Sequence, residues 1–67
     1  MNTKSSIARI IEKAVTLFEG DHDAAMRWLA SPNPDLDGQI PLNTAETEIG
    51  ARAVEDLIGR LEFGVFN

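Results

Sequence analysis

The amino-acid sequence predicts an all-α fold: a small bundle of three to four helices with a Pro/Gly-rich loop between helices 2 and 3. Three observations predict it. Apolar residues recur at helical spacing towards both ends of the chain, prolines and a glycine interrupt the middle, and no stretch alternates polar and apolar residues as a strand would. At 67 residues, with 43% hydrophobic and 25% charged side chains, the chain is expected to form one domain over residues 1–67 with one core. Cysteine is absent, so neither a disulfide nor a thiolate zinc site stabilises the fold. Helix packing, alone or with a partner, must do so.

The first helix is read from Ile7, Ile10, Ile11, Ala14, Leu17 and Phe18, which share one face, while Arg9, Glu12, Lys13 and Thr16 fall on the other. Ser5 or Ser6 is suited to cap its start, and Gly20 to end it in the left-handed conformation. A second, short helix follows, with Asp21 as N-cap, Asp23 complementing the helix dipole, and Ala24, Ala25, Trp28 and Leu29 as its apolar stripe. Ser31-Pro32-Asn33-Pro34 must stop it, because proline cannot continue a helix and biases the residue before it towards extended backbone.

The loop that follows has two large apolar side chains, Leu36 and Ile40, expected to plug it onto the core, and Gly38 to turn it. Pro41 suits the first position of another helix, one or two turns long and reaching about Thr47. The last helix should bury Ile49, Ala53, Val54, Leu57, Ile58 and Leu61, with Thr47 as its cap and Gly64 as its end. Glu48, Arg52, Asp56 and Arg60 succeed one another at four-residue intervals with alternating sign, an arrangement that supports a solvated flank.

Composition and inventory exclude several classes of function. Six Lys and Arg against eleven Asp and Glu leave a net charge of −5, which opposes a phosphate backbone, so no direct nucleic-acid binding is expected. Neither an export signal nor an apolar run of membrane-spanning length is present, so the expected location is the cytoplasm, with no membrane partner. The single imidazole, His22, sits between Asp21 and Asp23 at a helix start, where capping explains the cluster better than a metal site does. No catalytic residue, cofactor site or metal site is expected, and the chain is read as a binding module rather than an enzyme. Leu36-Asp37-Gly38-Gln39 lacks the pattern of a phosphate loop and reads as a tight turn. Trp28 is expected inside the core, and Phe63, Val65 and Phe66 either close the core or form a sticky terminus for a partner.

Leu17-Phe18-Glu19-Gly20-Asp21, then Ala25-Met26-Arg27-Trp28-Leu29, then Pro32-Asn33-Pro34-Asp35-Leu36-Asp37-Gly38-Gln39-Ile40-Pro41-Leu42 stand in order at fixed spacing. With Thr47, Gly50, Arg52, Val54, Glu55, Leu57, Gly59, Arg60 and Gly64, this pattern resembles the C-terminal toxin-binding domain of the Xre/MbcA/ParS antitoxins over nearly the whole chain.

The resemblance implies a partner, a RES-domain toxin that consumes NAD or transfers ADP-ribose, neutralised when the antitoxin covers its active-site entrance. Carried over residue by residue, it implies that Arg52, Glu55, Arg60, Phe63, Gly64, Val65 and Phe66 face the toxin, while Trp28, Pro32, Leu36, Gly38 and Pro41 maintain the fold. Two departures stand out. Many members carry a helix-turn-helix domain, for which these 67 residues leave no room, so autorepression does not follow. Thr44 and Ala45 replace bulkier leucines, which implies a looser short helix or a differently packed partner surface. The alternative reading is a self-associating structural or regulatory adaptor, a homodimer without a toxin partner.

Overall fold

The computed structural model describes residues 3–63, with side chains from residue 6 onward. Among these residues the chain forms α1 (Thr3–Leu17), α2 (His22–Leu29), a single 3-10 turn (Pro34–Leu36), α3 (Pro41–Thr44) and α4 (Glu48–Glu62). The all-helical bundle expected from the periodicity is what forms. Extended pairing among the described residues is limited to an isolated bridge between Asn33 and Gln39.

Helix α1 packs against both α2 and α4, and α3 joins α2 to α4 on the far side. The core is Ile10 and Ala14 from α1, Ala25 and Leu29 from α2, Ala45, and Ala51, Val54 and Ile58 from α4. Ile10, Leu29 and Ile58 are its largest fully buried aliphatic side chains, and burial of each stabilises the fold by about 1.5–3 kcal/mol. Four alanines, Ala14, Ala25, Ala45 and Ala51, complete the core. Phe18 and Trp28 close one end, half-buried, with ring centroids 6.4 Å apart and planes tilted by 55°. Trp28 therefore caps the core instead of sitting within it.

The helix ends follow local chemistry, with two corrections. Helix α1 begins at Thr3, so Ser5 and Ser6 lie inside it and do not cap it; Ser6 is turned inward and buried. Its C-terminus closes through Gly20 N–H donating to Val15 O (2.8 Å) and Glu19 N–H donating to Thr16 O (3.0 Å). In this doubled closure the left-handed residue that follows the helix is Glu19 (φ 57°), and Gly20 (φ 90°) comes one residue later. The carboxylate of Asp21 accepts from Ala24 N–H at 3.0 Å, as the N-cap of α2 should. At the other end of α2 the Ser31 hydroxyl donates to the Arg27 carbonyl at 2.7 Å, satisfying one of its free carbonyls.

Buried Asn33 organises the loop. Its N–H donates to Gln39 O (3.0 Å), its carbonyl accepts from Leu36 N–H (2.9 Å) and Gly38 N–H (2.8 Å), and its side-chain oxygen accepts from Asp35 N–H (2.8 Å). Asp37 (φ 59°) and Gly38 (φ 81°) reverse the chain so that half-buried Leu36 packs onto the core. Pro41 opens α3 at the first helical position, and α3 stops at Thr44 instead of reaching Thr47. Thr47 is in extended backbone (φ −111°, ψ 160°) because its hydroxyl accepts from Gly50 N–H at 3.0 Å, capping α4; it cannot serve both helices. The elbow between them is tight, not loose. Ala45 is fully buried, and Gly50 lies against the carbonyl of Thr44 with no room for a β-carbon.

Candidate partner-binding face

Helix α4 divides into two arcs. Ala51, Val54, Leu57 and Ile58 are buried against the rest of the bundle. The opposite arc carries Glu48, Ile49, Arg52, Ala53, Asp56, Arg60 and Phe63, all exposed, along a helix about 22 Å long at 1.5 Å per residue. Ile49 and Ala53 were expected in the core and stand outside it, Ile49 being 85% exposed. The reason is geometric: the apolar residues of α4 wrap more than half the helix, and only the approach of α1 and α3 decides which arc is covered. Leu61, also expected inside, is 43% exposed at the edge.

The outer arc is apolar and charged in alternation. Glu48, Arg52, Asp56 and Arg60 keep the four-residue spacing, but none of these neighbours closes into an ion pair. Among the described residues the ion pair that forms is Arg9 Nε to Glu55 Oε2 at 2.8 Å, joining α1 to α4. Glu55 thus sits at the margin of the arc, 24% exposed, with its carboxylate turned to α1.

Beside the arc an open depression of about 720 Å³ runs between the 3-10 turn and α4, lined by Asp35, Leu36, Ala53, Glu55, Asp56, Gly59, Arg60 and Phe63. Half-buried Leu36 gives it an apolar wall, and Phe63, 85% exposed where α4 ends, stands at its mouth. Phe63 does not fold back to close the core. A smaller depression of about 300 Å³ continues along Glu48, Ile49, Arg52, Ala53 and Asp56. An exposed aromatic and an exposed Ile, flanked by guanidinium groups of Arg52 and Arg60, make a surface suited to another protein.

Of the residues expected to face a partner, the structure brings Arg52, Arg60 and Phe63 onto this arc and places Glu55 at its margin, paired with Arg9 and lining the same depression as Arg60 and Phe63. Gly64, Val65 and Phe66 lie outside the described residues, as does the expected helix end at Gly64. Ile49, Ala53, Leu36 and Asp56 were not singled out for a partner. The signal was present for two of them: Ile49 and Ala53 share their helical arc with the charged ladder at 48, 52, 56 and 60. His22 is exposed, and among the described residues no group of three or more His, Cys, Asp or Glu side chains could hold a metal ion. No described helix is long and apolar enough to cross a membrane.

Residues 13–64 match the family model for the antitoxin Xre/MbcA/ParS C-terminal toxin-binding domain. The chain belongs to this family. Within the Xre/MbcA/ParS family it is similar to a protein named Antitoxin Xre from Yersinia enterocolitica serotype O:8 / biotype 1B, 48% identical over 59 residues, which is 88% of this chain and 40% of that protein. It is also similar to a protein of the same name from Photorhabdus laumondii subsp. laumondii, 42% identical over 57 residues, 85% of this chain and 38% of that one. The chain spans about two fifths of the length of these curated relatives. No solved structure gives a significant match. Membership in the Xre/MbcA/ParS family assigns a binding role to this domain and makes it no enzyme.

Proposed function

We propose that this domain neutralises a RES-domain toxin by laying the outer arc of α4, and the residues that follow it, over the entrance to the toxin's active site. The observation that carries the reading is the coincidence of Arg52, Arg60 and Phe63 on one exposed face beside an open depression, in a chain of the toxin-binding family. Arg52 and Arg60 would engage acidic or carbonyl groups at the rim of the entrance, since a guanidinium presents a fork of donors to such oxygens. Phe63, with Gly64, Val65 and Phe66 after it, would supply the apolar insertion. Glu55 would act from the margin, since a direct toxin contact would cost its pair with Arg9.

Support comes also from what the face leaves undone. Ile49 and Phe63 gain nothing from the fold in their exposed positions, and their burial against a partner removes apolar surface from water. The test is co-expression of the chain with a RES-domain toxin in a growth assay, alongside direct binding of the purified proteins. The intact chain should restore growth and bind, and the double variant Arg60→Glu, Phe63→Ala should do neither while keeping its helical circular dichroism. Full neutralisation by that variant would refute the assignment of the face, and an intact chain that binds no RES-domain protein would refute the toxin class.

A further inference from the structure

We infer that Arg9 of α1 is a positioning residue for the partner-binding face of α4: by holding the Glu55 carboxylate it keeps Arg52 open to a partner. That this partner is a toxin rests on the function proposed above. Between α1 and α4 lies a shallow depression of about 180 Å³ lined by Ser6, Arg9, Glu48, Ala51, Arg52 and Glu55. Two guanidinium groups and two carboxylates share this small rim, and among the described residues one pair closes, Arg9 Nε to Glu55 Oε2 at 2.8 Å. Arg52 is left out of it. Yet Glu55 stands three residues after Arg52 on the same helix, a spacing that sets β-carbons about 5–6 Å apart and lets such side chains meet.

The order of charges explains which cation wins. A cation that precedes its anion along a helix is the weaker arrangement, because it opposes the helix dipole, and Arg52 precedes Glu55. Arg9 comes from a separate helix and is under no such handicap. With Arg9 removed, Arg52 is the cation left on the rim, and the released carboxylate turns to it. A guanidinium recognises a partner's oxygens with the same donors that a carboxylate occupies, so a paired Arg52 must first break that pair. For an exposed ion pair the loss is about two- to fivefold in affinity. Arg9 thus acts through Arg52, without itself touching the partner.

Two measurements test this role, the first without any toxin. The purified chain is treated sparingly with p-hydroxyphenylglyoxal, which modifies guanidinium groups, and modification of Arg52 is read by peptide mass spectrometry. Arg9→Ala, at an exposed position, should slow modification of Arg52 about two- to fivefold, and in a Glu55→Gln background it should have no effect. An Arg52 as reactive in Arg9→Ala as in the intact chain overturns the inference, whatever the chain binds. The second measurement is affinity for a RES-domain toxin. Arg9→Ala should lose about two- to fivefold in the intact background and nothing in either Glu55→Gln or Arg52→Ala. Lys13→Ala, which removes a charge from α1 away from this rim, should bind as the intact chain does. A loss that persists in Glu55→Gln or in Arg52→Ala shows a direct or merely structural role for Arg9 and overturns the inference. A chain that binds no RES-domain toxin while its arginine reactivities follow the expected order refutes the toxin class and still supports the hold of Arg9 on Glu55.

Discussion

The carbonyl oxygen of Thr44 occupies the space where a β-carbon on Gly50 would stand. The last carbonyl of α3 and the first turn of α4 are thereby locked into a single elbow, with the Thr47 hydroxyl holding Gly50 N–H at 3.0 Å from the other side. Gly50 is in ordinary helical backbone, so its need is for space and not for an unusual φ.

Substitution at this glycine should therefore run against helix propensity. Gly50→Ala gains about 1 kcal/mol of intrinsic helix preference. The collision with backbone, which cannot rotate away, costs more, and a net loss of about 1–3 kcal/mol is expected. Gly59→Ala on the same helix meets nothing within 4 Å and should stabilise by about 0.5–1 kcal/mol. Urea denaturation followed by circular dichroism compares the two; equal effects of the same sign would show that the elbow can yield.

Glu19 holds the left-handed position after α1 with φ 57°, where a β-carbon is disfavoured by about 1–2 kcal/mol. Its side chain is exposed and makes no hydrogen bond to the other described residues. Glu19→Gly should raise stability by about 0.5–1 kcal/mol, the relief of strain exceeding the added freedom of the unfolded chain. In a domain of this size that corresponds to a melting temperature several degrees higher, at about 4–8 °C per kcal/mol. A lowered melting temperature would show that Gly20 alone carries the reversal.

Asn33 satisfies the loop from its centre, and the acceptor Oδ1 is what matters, through its bond from Asp35 N–H at 2.8 Å. Asn33→Ala should cost about 1–2 kcal/mol by leaving that amide and the buried site without their partner. Asn33→Asp keeps the acceptor and should cost less. The order of the two midpoints in denaturant is the measurement, and an alanine variant as stable as the aspartate would remove the side chain's role.

What could be read ahead of the structure was local. Asp21 and Thr47 act at helix starts through amides three residues on, and Pro41 through its own fixed φ, so the chain itself carries the information. The long-range decisions were hidden. Ile49 and Ala53 fit an apolar face as well as Ala51 does, and only the packing of α1 and α3 selects the arc that includes Ala51. Ala45 suggested looseness for want of volume, yet it is buried because the elbow at Thr44 and Gly50 leaves room for a methyl and no more. The pair of Arg9 with Glu55 joins residues 46 apart, and no spacing rule reaches that far. For the partner face, Arg52, Arg60 and Phe63 came from family likeness, whereas Leu36 enters through a loop whose return depends on Asn33.

Phe63 offers the sharpest separation between stability and recognition. At 85% exposure it contributes little to the fold, so Phe63→Ala should leave the denaturation midpoint within about 0.5 kcal/mol of the intact chain. If the outer arc of α4 receives the toxin, an aromatic anchor at the mouth of the depression beside Leu36 should carry about 2 kcal/mol or more of the binding, which is a loss of roughly 30-fold in affinity. Arg9→Ala supplies the contrast. Its half-exposed pair with Glu55 is worth about 0.2–1 kcal/mol of stability, and it stands on α1, beside Glu48 and Arg52 at the edge of the arc, so binding should fall far less than with Phe63→Ala. Titration calorimetry on both variants decides between the sides of the helix: a toxin that releases Arg9→Ala and retains Phe63→Ala sits on α1, not on α4.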